Sequence, residues 1–251
     1  MSEAQMKKHM IEISNMTKSF GENTAVDRLT LNVAQGEFFC FLGPNGAGKT
    51  TTIKVLTGLL YPTSGEVKID GLDMKKDHVS VKKIMSYIPD FPYIFEKLTG
   101  REFLEFVARM YDVPPELSEE RIQEYLKMFS LTDRADHLME DYSHGMRQKI
   151  VISAAMIHDP KLIIVDEPMV GLDPKGIRQV KDLFKQKTKE GGCVFMSTHI
   201  LSMAEELADR IGIIHQGRLV ALGTRDEILA RAEHKKDFEE IFMALSDETE
   251  S

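Results

Sequence analysis

The glycine-rich segment 43–50 has the most specific spacing for chemistry in this sequence, and it reads Gly43, Pro44, Asn45, Gly46, Ala47, Gly48, Lys49 and Thr50. The apolar run 38–42 precedes it, and a helical pattern with Ile53 and Leu56 follows it. A strand, a glycine-rich turn and a helix together surround a phosphate with backbone N–H groups and the positive end of a helix dipole. We therefore predict that this segment, continued by Thr51, binds the phosphates of a nucleoside triphosphate. The alternative is an ordinary glycine turn.

Two acidic residues follow a second apolar run, which covers residues 162–165 and ends in Asp166 and Glu167. Ligands of parallel sheets bind at the carboxyl ends of the strands, so these acids are expected beside the phosphates. We predict that the Thr50 hydroxyl and Asp166 hold Mg²⁺, and that Glu167 orients or deprotonates an attacking water. A strand end followed by a solvated acidic turn is the alternative.

A histidine, His199, follows a third apolar run at residues 193–197. It is expected at the same edge of the sheet, where its imidazole would hydrogen-bond the γ-phosphate and the attacking water. With Glu167 and with Lys49, whose ammonium would reach the β- and γ-phosphates, it makes up the predicted catalytic set. The alternative is a surface or capping histidine.

The bulk composition indicates a folded protein without an obvious nucleic-acid or membrane segment. The 251 residues are 42% hydrophobic and 29% charged, with a formal net charge of −8, which argues against nucleic acid as the main partner. No apolar run approaches the roughly 18 residues needed to span a bilayer, and residues 1–8 lack the apolar core of a signal peptide. We expect a cytoplasmic protein in which the two cysteines, Cys40 and Cys193, are reduced core residues.

The hydrophobic pattern predicts strands, then helices, then strands alternating with helices. Residues 10–20 and 29–33 alternate as two antiparallel strands, and shorter strands are expected at residues 66–71 and 84–88. After residue 158 we predict that strands and helices alternate. The strands are expected at residues 162–166 and 193–197, and the helices at residues 174–189 and 200–208. A closing hairpin is expected from the strands 211–215 and 218–221. The lysines between residues 181 and 189 are expected on a solvated helix face.

Residues 99–158 have a helical period and are predicted to form three helices. One has a face with Phe103, Phe106, Val107 and Met110; the next has Ser118 as its N-cap and a face with Ile122, Tyr125, Leu126 and Phe129; the third covers residues 144–158. The fold class is therefore α/β: a P-loop NTPase core with a mixed sheet, an N-terminal antiparallel β subdomain and an inserted all-helical subdomain. We predict a single domain that covers residues 1–251. Its core consists of residues 1–89 and 159–223, the helical insertion of residues 90–158, and a helical tail of residues 224–251.

The start of the third helix carries a further motif, which reads Tyr142, Ser143, His144, Gly145, Met146, Arg147, Gln148 and Lys149. Taken with the motifs above, it resembles the signature of the ATP-binding cassette (ABC) family, in which L-S-G-G-Q is usual. The resemblance extends from Phe20 to about Gly223 and includes the D-loop residues Gly171 to Pro174. The chain looks most like bacterial exporters of drugs, peptides or ions with separate membrane subunits.

The resemblance implies that two cassettes pack head to tail around two ATP molecules. Each signature, formed by Ser143, His144, Gly145 and Met146, would cap the γ-phosphate bound to the other chain, and Asp173 would belong to the D-loop. Phe20 would stack on adenine, although a buried strand-end aromatic is the alternative. Asp90, which stands where the family has the Q-loop glutamine, would keep a role at Mg²⁺. The changes at positions 90, 144 and 146 leave the ATPase rate open.

The function that the resemblance implies is ATP hydrolysis that energises transport, in the direction of export, through separate transmembrane subunits. The partners would be ATP, a second copy or a paralogue, and integral membrane proteins that hold this chain at the inner face of the cell membrane. The aromatic segment 91–95 would face a membrane subunit or pack beneath the insertion. A dimerising switch that hydrolyses ATP poorly and a non-transport cassette acting on DNA or ribosomes are the alternatives. The cargo is not encoded in this chain.

Overall fold

Ten strands form two sheets in the part of the chain that the computed structural model describes, residues 8–91 and 93–231. The strands are β1 (His9–Phe20), β2 (Asn23–Ala34), β3 (Phe38–Leu42), β4 (Ser64–Ile69), β5 (Leu72–Asp73), β6 (Met85–Ile88), β7 (Leu162–Asp166), β8 (Cys193–Thr198), β9 (Arg210–His215) and β10 (Arg218–Gly223). The helices are α1 (Lys49–Leu56), α2 (His78–Ile84), α3 (Gly100–Met110), α4 (Pro115–Met128), α5 (His144–Met156), α6 (Pro174–Lys189), α7 (Leu201–Leu207) and α8 (Arg225–Arg231).

The larger sheet is mixed, with the strand order β10-β9-β3-β8-β7-β6. Strands β9, β3, β8, β7 and β6 run parallel, and β10 closes the edge as an antiparallel neighbour of β9. Every residue of β3, β7 and β8 is buried, because helices or the second sheet cover both faces. The predicted α/β fold with a mixed sheet is confirmed.

Strand β3 joins the two hydrophobic clusters because its alternate side chains point to opposite faces. Phe38, Cys40 and Leu42 belong to the cluster that includes the helical segment, whereas Phe39 and Phe41 belong to the cluster shared with the smaller sheet. The strand that leads into the glycine-rich segment is thus fixed from both sides. Cys40 and Cys193 are both free and buried, as predicted.

The smaller sheet is antiparallel, as predicted, with the order β2-β1-β4-β5. Its second strand is longer than expected, since it begins at Asn23 and not near Leu29. Asn15 and Arg28 have positive φ angles of 47° and 48°, and the pairing of β1 with β2 shifts register near Asn15. Such bulges interrupt the alternation of apolar and polar residues, which conceals the true strand lengths in the sequence.

Helix α3 buries a face that overlaps the predicted one only in part. Phe103 is buried, but its buried neighbours are Leu104 and Ala108, whereas Phe106 is 41% and Met110 65% exposed. Val107 packs against the core, so the predicted face is right for Phe103 and Val107 and wrong for Phe106 and Met110. A capping box formed by Thr99 and Glu102 fixes the start of this helix.

The prediction that Ser118 caps α4 is wrong. The helix begins at Pro115, and Ser118 lies buried inside it. Proline is favoured in the first turn because its fixed φ suits a helix and its missing N–H would have no partner there. A second departure is α2, which the sequence did not indicate, because Val81 is its one buried residue and no apolar face shows.

The basic face predicted on α6 is only partly solvated. Lys187 is 7% exposed and its ammonium pairs with Asp159, while Lys181 pairs with Glu206 at the surface, 2.6 Å away.

The predicted closing hairpin is confirmed: Gln216 and Gly217, both with positive φ, connect β9 and β10.

The predicted division of the chain into core, insertion and tail stays a prediction. Of the tail, residues 225–231 form α8, and residues 232–251 lie outside the described part of the chain. None of the helices within the described ranges has both the length and the apolar character that a membrane crossing requires.

Candidate nucleotide site

The glycine-rich segment lies between β3 and α1, as its sequence pattern predicts. Lys49 is the first residue of α1, and its ammonium donates hydrogen bonds to the carbonyl oxygens of Gly43 (2.7 Å) and Pro44 (3.0 Å). Gly48 has a φ of +107°, and a Cβ there would lie 2.6 Å from the carbonyl oxygen of Ala25. The turn therefore needs glycine both for its backbone angle and for its close approach to β2.

Lys49 is almost fully buried, and its surroundings act on its charge in both directions. Burial lowers the pKa of the ammonium, and the carboxylates of Glu167 and Asp166 act against that effect. A cation held in a partly dry site attracts an anion more strongly than one in water. The segment is therefore suited to bind phosphate.

Asp166 ends β7 with one oxygen satisfied and the other free. Ser197 on β8 donates a hydrogen bond to Oδ1, while Oδ2 is buried without a hydrogen-bond partner. Burial raises the pKa of this carboxyl group, and the hydrogen bond from Ser197 together with the nearby Thr50 hydroxyl counteracts the increase. An unsatisfied buried carboxylate oxygen is expensive unless something else binds it.

The oxygen atoms around Asp166 are suitable ligands for Mg²⁺. This ion prefers oxygen ligands and is usually bound by only one or two protein carboxylates, with phosphates and waters as its other ligands. Thr50 and Asp166 supply a hydroxyl and a free carboxylate oxygen, and Asp90 lines the same cleft. Residues 8–91 and 93–231 contain no cluster of three or more His, Cys, Asp or Glu side chains suited to a metal ion. A cation here would thus need the phosphates as additional ligands.

Glu167 and His199 lie side by side just beyond β7 and β8. The carboxylate oxygen Oε1 is 2.8 Å from the imidazole Nδ1, and the Thr198 hydroxyl lies 3.5 Å from Oε2. Glu167 has a φ of 48°, an unusual backbone conformation for a residue with a side chain. Such strained positions are found where a site fixes a side chain in place.

A cleft of about 220 Å³ brings most of the predicted phosphate residues together with the predicted metal residues, but its lining does not include the predicted residues Phe20, Gly43, Pro44, Ala47 and His199. It is lined by Ala25, Asn45, Gly46, Gly48, Lys49, Thr50, Thr51, Asp90, Asp166 and Glu167. Two residues of the site were not predicted from the sequence: Ala25, which lines the cleft, and Ser197, which hydrogen-bonds Asp166. The hydroxyl of Ser197 inside an otherwise apolar run was the available signal, whereas nothing in the sequence marked Ala25.

The predicted signature residues lie at the start of α5 and do not line this cleft among the described residues. Ser143 is the N-cap, and its Oγ accepts a hydrogen bond from the N–H of Met146 at 3.3 Å. Gly145 lies so close to the following loop that a Cβ there would be 2.7 Å from the carbonyl oxygen of Gly171. Their proposed contact with ATP on a second chain stays a prediction.

His144 packs within its own chain. A Cβ added to Gly171 would lie 2.2 Å from the His144 Nδ1, so the imidazole lies directly against this residue. The ring of Phe91 meets it edge to face, with 6.2 Å between the ring centroids. In the same loop region, Asp173 caps α6 and accepts a hydrogen bond from Lys149 at 3.0 Å.

Phe20 is 50% exposed, so the alternative of a buried aromatic does not apply. The Lys18 ammonium lies 5.0 Å from the centroid of its ring, at cation–π distance. The aromatic residues of segment 91–95 are also exposed: Phe91 by 62%, Tyr93 by 81% and Phe95 by 57%. This exposure argues against packing beneath the helices for Phe91 and Tyr93, whereas the Phe95 ring contacts Phe103 and Phe106 of α3, with 6.3 and 5.6 Å between ring centroids. Pro92 lies outside the described residues.

The exposed aromatic residues border a groove of about 520 Å³, lined by Phe91, Tyr93, Ile94, Phe95, Glu96, Lys97 and Arg147. Arg147 crosses from α5 to this groove and pairs with Glu96 at 3.0 Å. A contiguous apolar surface with a polar rim is typical of a protein interaction site.

Residues 26–170 match the protein family described as ABC transporter. The SkfA peptide export ATP-binding protein SkfE of Bacillus subtilis (strain 168) is 35% identical over 239 residues, which cover 95% of this chain and 99% of that protein. The bacitracin transport ATP-binding protein BcrA of Bacillus licheniformis is 39% identical over 212 residues, 84% of this chain and 68% of BcrA.

Two solved structures resemble this fold closely. One, an ATP-binding subunit of an ABC transporter, has a TM-score of 0.89 at 32% identity, covering 94% of this chain and 99% of its own. The other is the dimeric ATP-binding cassette MJ0796 in a post-hydrolysis state with ADP and Pi, with a TM-score of 0.77 at 28% identity over 86% of this chain and 98% of its own.

Proposed function

Starting from the fact that this chain belongs to the ABC transporter family and is an ATPase, we propose that it powers export through transmembrane subunits encoded as separate chains. The contact that carries the proposal is the one between Glu167 and His199, 2.8 Å apart beside the phosphate cleft. A carboxylate held by an imidazole at this point suits the activation of water. The relative named for peptide export supports the direction, and the relative named for bacitracin transport supports a role in transport.

In the proposed reaction, a water attacks the γ-phosphate in line with the leaving ADP. Glu167 accepts or orients a proton of that water, and His199 holds the carboxylate and contacts the γ-phosphate. Lys49 and the backbone N–H groups of residues 45–51 bind the phosphates, and Phe20 stacks on the adenine. Mg²⁺, held by Thr50, Asp166 and Asp90, would supply charge neutralisation at the phosphates.

We further propose that each complete site needs a second cassette, a copy of this chain or a paralogue. Ser143, His144, Gly145 and Met146 lie outside the cleft of their own chain, and the N-terminus of α5 can offer N–H groups to an anion from elsewhere. The dimeric state of the related MJ0796 cassette supports this arrangement. Asp173 and its loop would then border the interface.

The proposed location is the inner face of the cell membrane, in the cytoplasm, through binding to integral membrane subunits. The groove beside Phe91, Tyr93 and Phe95 is an exposed apolar surface of the kind that a partner covers. Nucleic acid is not among the proposed partners, because the chain carries a net charge of −8.

Steady-state ATP turnover of the purified chain tests the proposal. We expect Glu167→Gln to lower turnover by at least about 10²-fold while ATP still binds, because Gln keeps the shape but cannot accept a proton. Glu124→Gln, an exposed carboxylate on α4, is the control and should leave turnover unchanged.

The competing function is a dimerising switch that hydrolyses ATP poorly, which the unusual residues Asp90, His144 and Met146 would favour. Equal and very slow turnover in the wild type and in Glu167→Gln, with ATP bound by both, would support the switch and contradict the ATPase proposal.

A further inference from the structure

We propose that Asp90 couples nucleotide binding to a divalent cation, so that this site binds ATP more weakly when no metal ion accompanies it. The inference rests on the proposed function, since it takes the cleft at residues 43–50 as the ATP site. It concerns one acidic side chain at the edge of that cleft.

Asp90 lies at the same edge of the sheet as the other acids of the cleft. It follows β6, whose partner is β7, and Ile88 is in register with Val165, the residue before Asp166. One carboxylate oxygen of Asp90 accepts a hydrogen bond from the N–H of Phe91 at 2.8 Å, which holds the side chain at the loop. The second oxygen has no such partner in the described part of the chain, and the residue lines the cleft.

The charges that line the cleft are unbalanced. Asp90, Asp166 and Glu167 are acidic, and Lys49 is the one basic residue among the described residues that form its lining. The charge of Asp90 contributes to raising the pKa of Asp166, so the fields of the two carboxylates overlap. An amide at position 90 would remove one of the three negative charges without removing the oxygen.

A triphosphate without a metal ion brings several more negative charges into this cleft, and like charges at short range repel. A bound divalent cation reverses the sign of the Asp90 contribution, because the carboxylate then faces a positive neighbour. The same side chain therefore weakens the binding of free ATP and strengthens the binding of ATP with its cation. A neutral residue would do neither.

The test measures binding and not turnover. The dissociation constant of the non-hydrolysable analogue AMP-PNP is determined by calorimetry at constant ionic strength, once with excess MgCl₂ and once with excess EDTA. The proteins are the wild type, Asp90→Gln, Asp90→Asn and Asp90→Glu. Asp133→Asn, an exposed acid on the helical segment, is the matched control for the loss of one charge.

We expect the ratio of the EDTA and MgCl₂ dissociation constants to fall by about tenfold in both neutral variants, the effect of removing one charge at short range. Asp90→Glu and Asp133→Asn should keep the wild-type ratio. Neutral variants with a wild-type ratio would overturn the inference. If no variant, wild type included, binds AMP-PNP even with MgCl₂, the proposed function itself fails, which is a different result.

Discussion

The Glu167 carboxylate and the His199 imidazole contact each other across the ends of two neighbouring strands, with 2.8 Å between Oε1 and Nδ1. Strands β7 and β8 are parallel, and Asp166 is in register with Ser197, so the loops beyond them leave the sheet side by side. The N–H of Glu167 also donates to the carbonyl oxygen of Ser197 at 3.3 Å. The sheet thus positions the two side chains as one hydrogen-bonded pair.

His199→Ala should lower the kcat for ATP hydrolysis by about 10²- to 10³-fold, within the range of general acid–base contributions. Because we expect the two side chains to act as a unit, the double variant Glu167→Gln/His199→Ala should be no slower than Glu167→Gln alone. His137→Ala, an exposed histidine on the helical segment, is the control. Strictly multiplicative losses in the double variant would show that the contact has no catalytic meaning.

The two inner glycines of the phosphate segment should differ in how much stability they contribute. At Gly48, φ is +107° and a Cβ would clash with Ala25, so Gly48→Ala should lower the free energy of unfolding by at least about 3 kcal/mol. At Gly46, φ is +81° but a Cβ would meet nothing within 4 Å, so Gly46→Ala should cost about 1–2 kcal/mol from backbone strain alone. Urea unfolding of both variants measures the difference; equal losses would contradict it.

The central sheet was predictable because its strands are buried on both faces and appear in the sequence as unbroken apolar runs. The failures have local physical causes. Bulges at Asn15 and Arg28 disturb the alternation in β1 and β2, so the sequence conceals how long these strands are. Helix α2 buries only Val81, so the sequence shows no apolar face that would predict it. Ser118 has the chemistry of an N-cap, but Pro115 provides an earlier start.

The contacts of the site were less predictable than its members. Motif spacing identified Asp166, but not the hydroxyl of Ser197 that satisfies one of its oxygens, because the two residues are 31 positions apart. The packing of His144 on Gly171 and Phe91 depends likewise on three segments that meet only in the folded chain. No local pattern carries such information.

The ion pair between Lys187 and Asp159 should make stability depend on pH. The Lys187 hydrogen bond lowers the pKa of Asp159 below the ordinary value of 3.8. A lowered folded-state pKa contributes stability above the unfolded-state pKa, and that stability is lost as the pH falls through the folded-state pKa. Asp159→Asn should therefore be less stable than the wild type near neutral pH, and the difference should shrink below about pH 4.

Urea unfolding between about pH 7 and about pH 3 measures this dependence. Asparagine suits the comparison because Asp159 has a φ of 56°, a conformation that Asn tolerates. Asp133→Asn serves as the control and should show a difference that does not vary with pH. A constant difference for Asp159→Asn as well would show that the ion pair is not responsible.

The exposed aromatic groove should be needed for membrane association and not for folding. Tyr93→Ser should reduce the amount of this chain that co-purifies with host membranes severalfold, because Tyr93 is 81% exposed and borders the groove. Val79→Ser, on α2, removes a comparably exposed apolar side chain elsewhere and should leave the membrane fraction unchanged. Equal amounts on membranes for both variants would place the partner on another surface.

The last prediction tests whether each site is shared between two chains. Lys49→Ala should inactivate the phosphate segment, and Ser143→Asp should inactivate the signature through repulsion of the γ-phosphate. Aspartate is also a good N-cap, so α5 should keep its start. Ser143→Thr, which keeps a neutral N-cap, is the control. It should stay active, which would attribute the loss in Ser143→Asp to the negative charge of the aspartate.

Each inactive variant alone should hydrolyse almost no ATP, but an equal mixture should regain about a quarter of wild-type turnover per subunit. Half of the dimers in such a mixture contain both variants, and one of the two sites in each combines an intact Lys49 with an intact Ser143. That arithmetic applies only if the two residues act on the same ATP from different chains and copies of this chain pair with one another. If the mixture stays as inactive as its parts while wild-type chains alone turn over ATP, a site shared between copies of this chain is excluded.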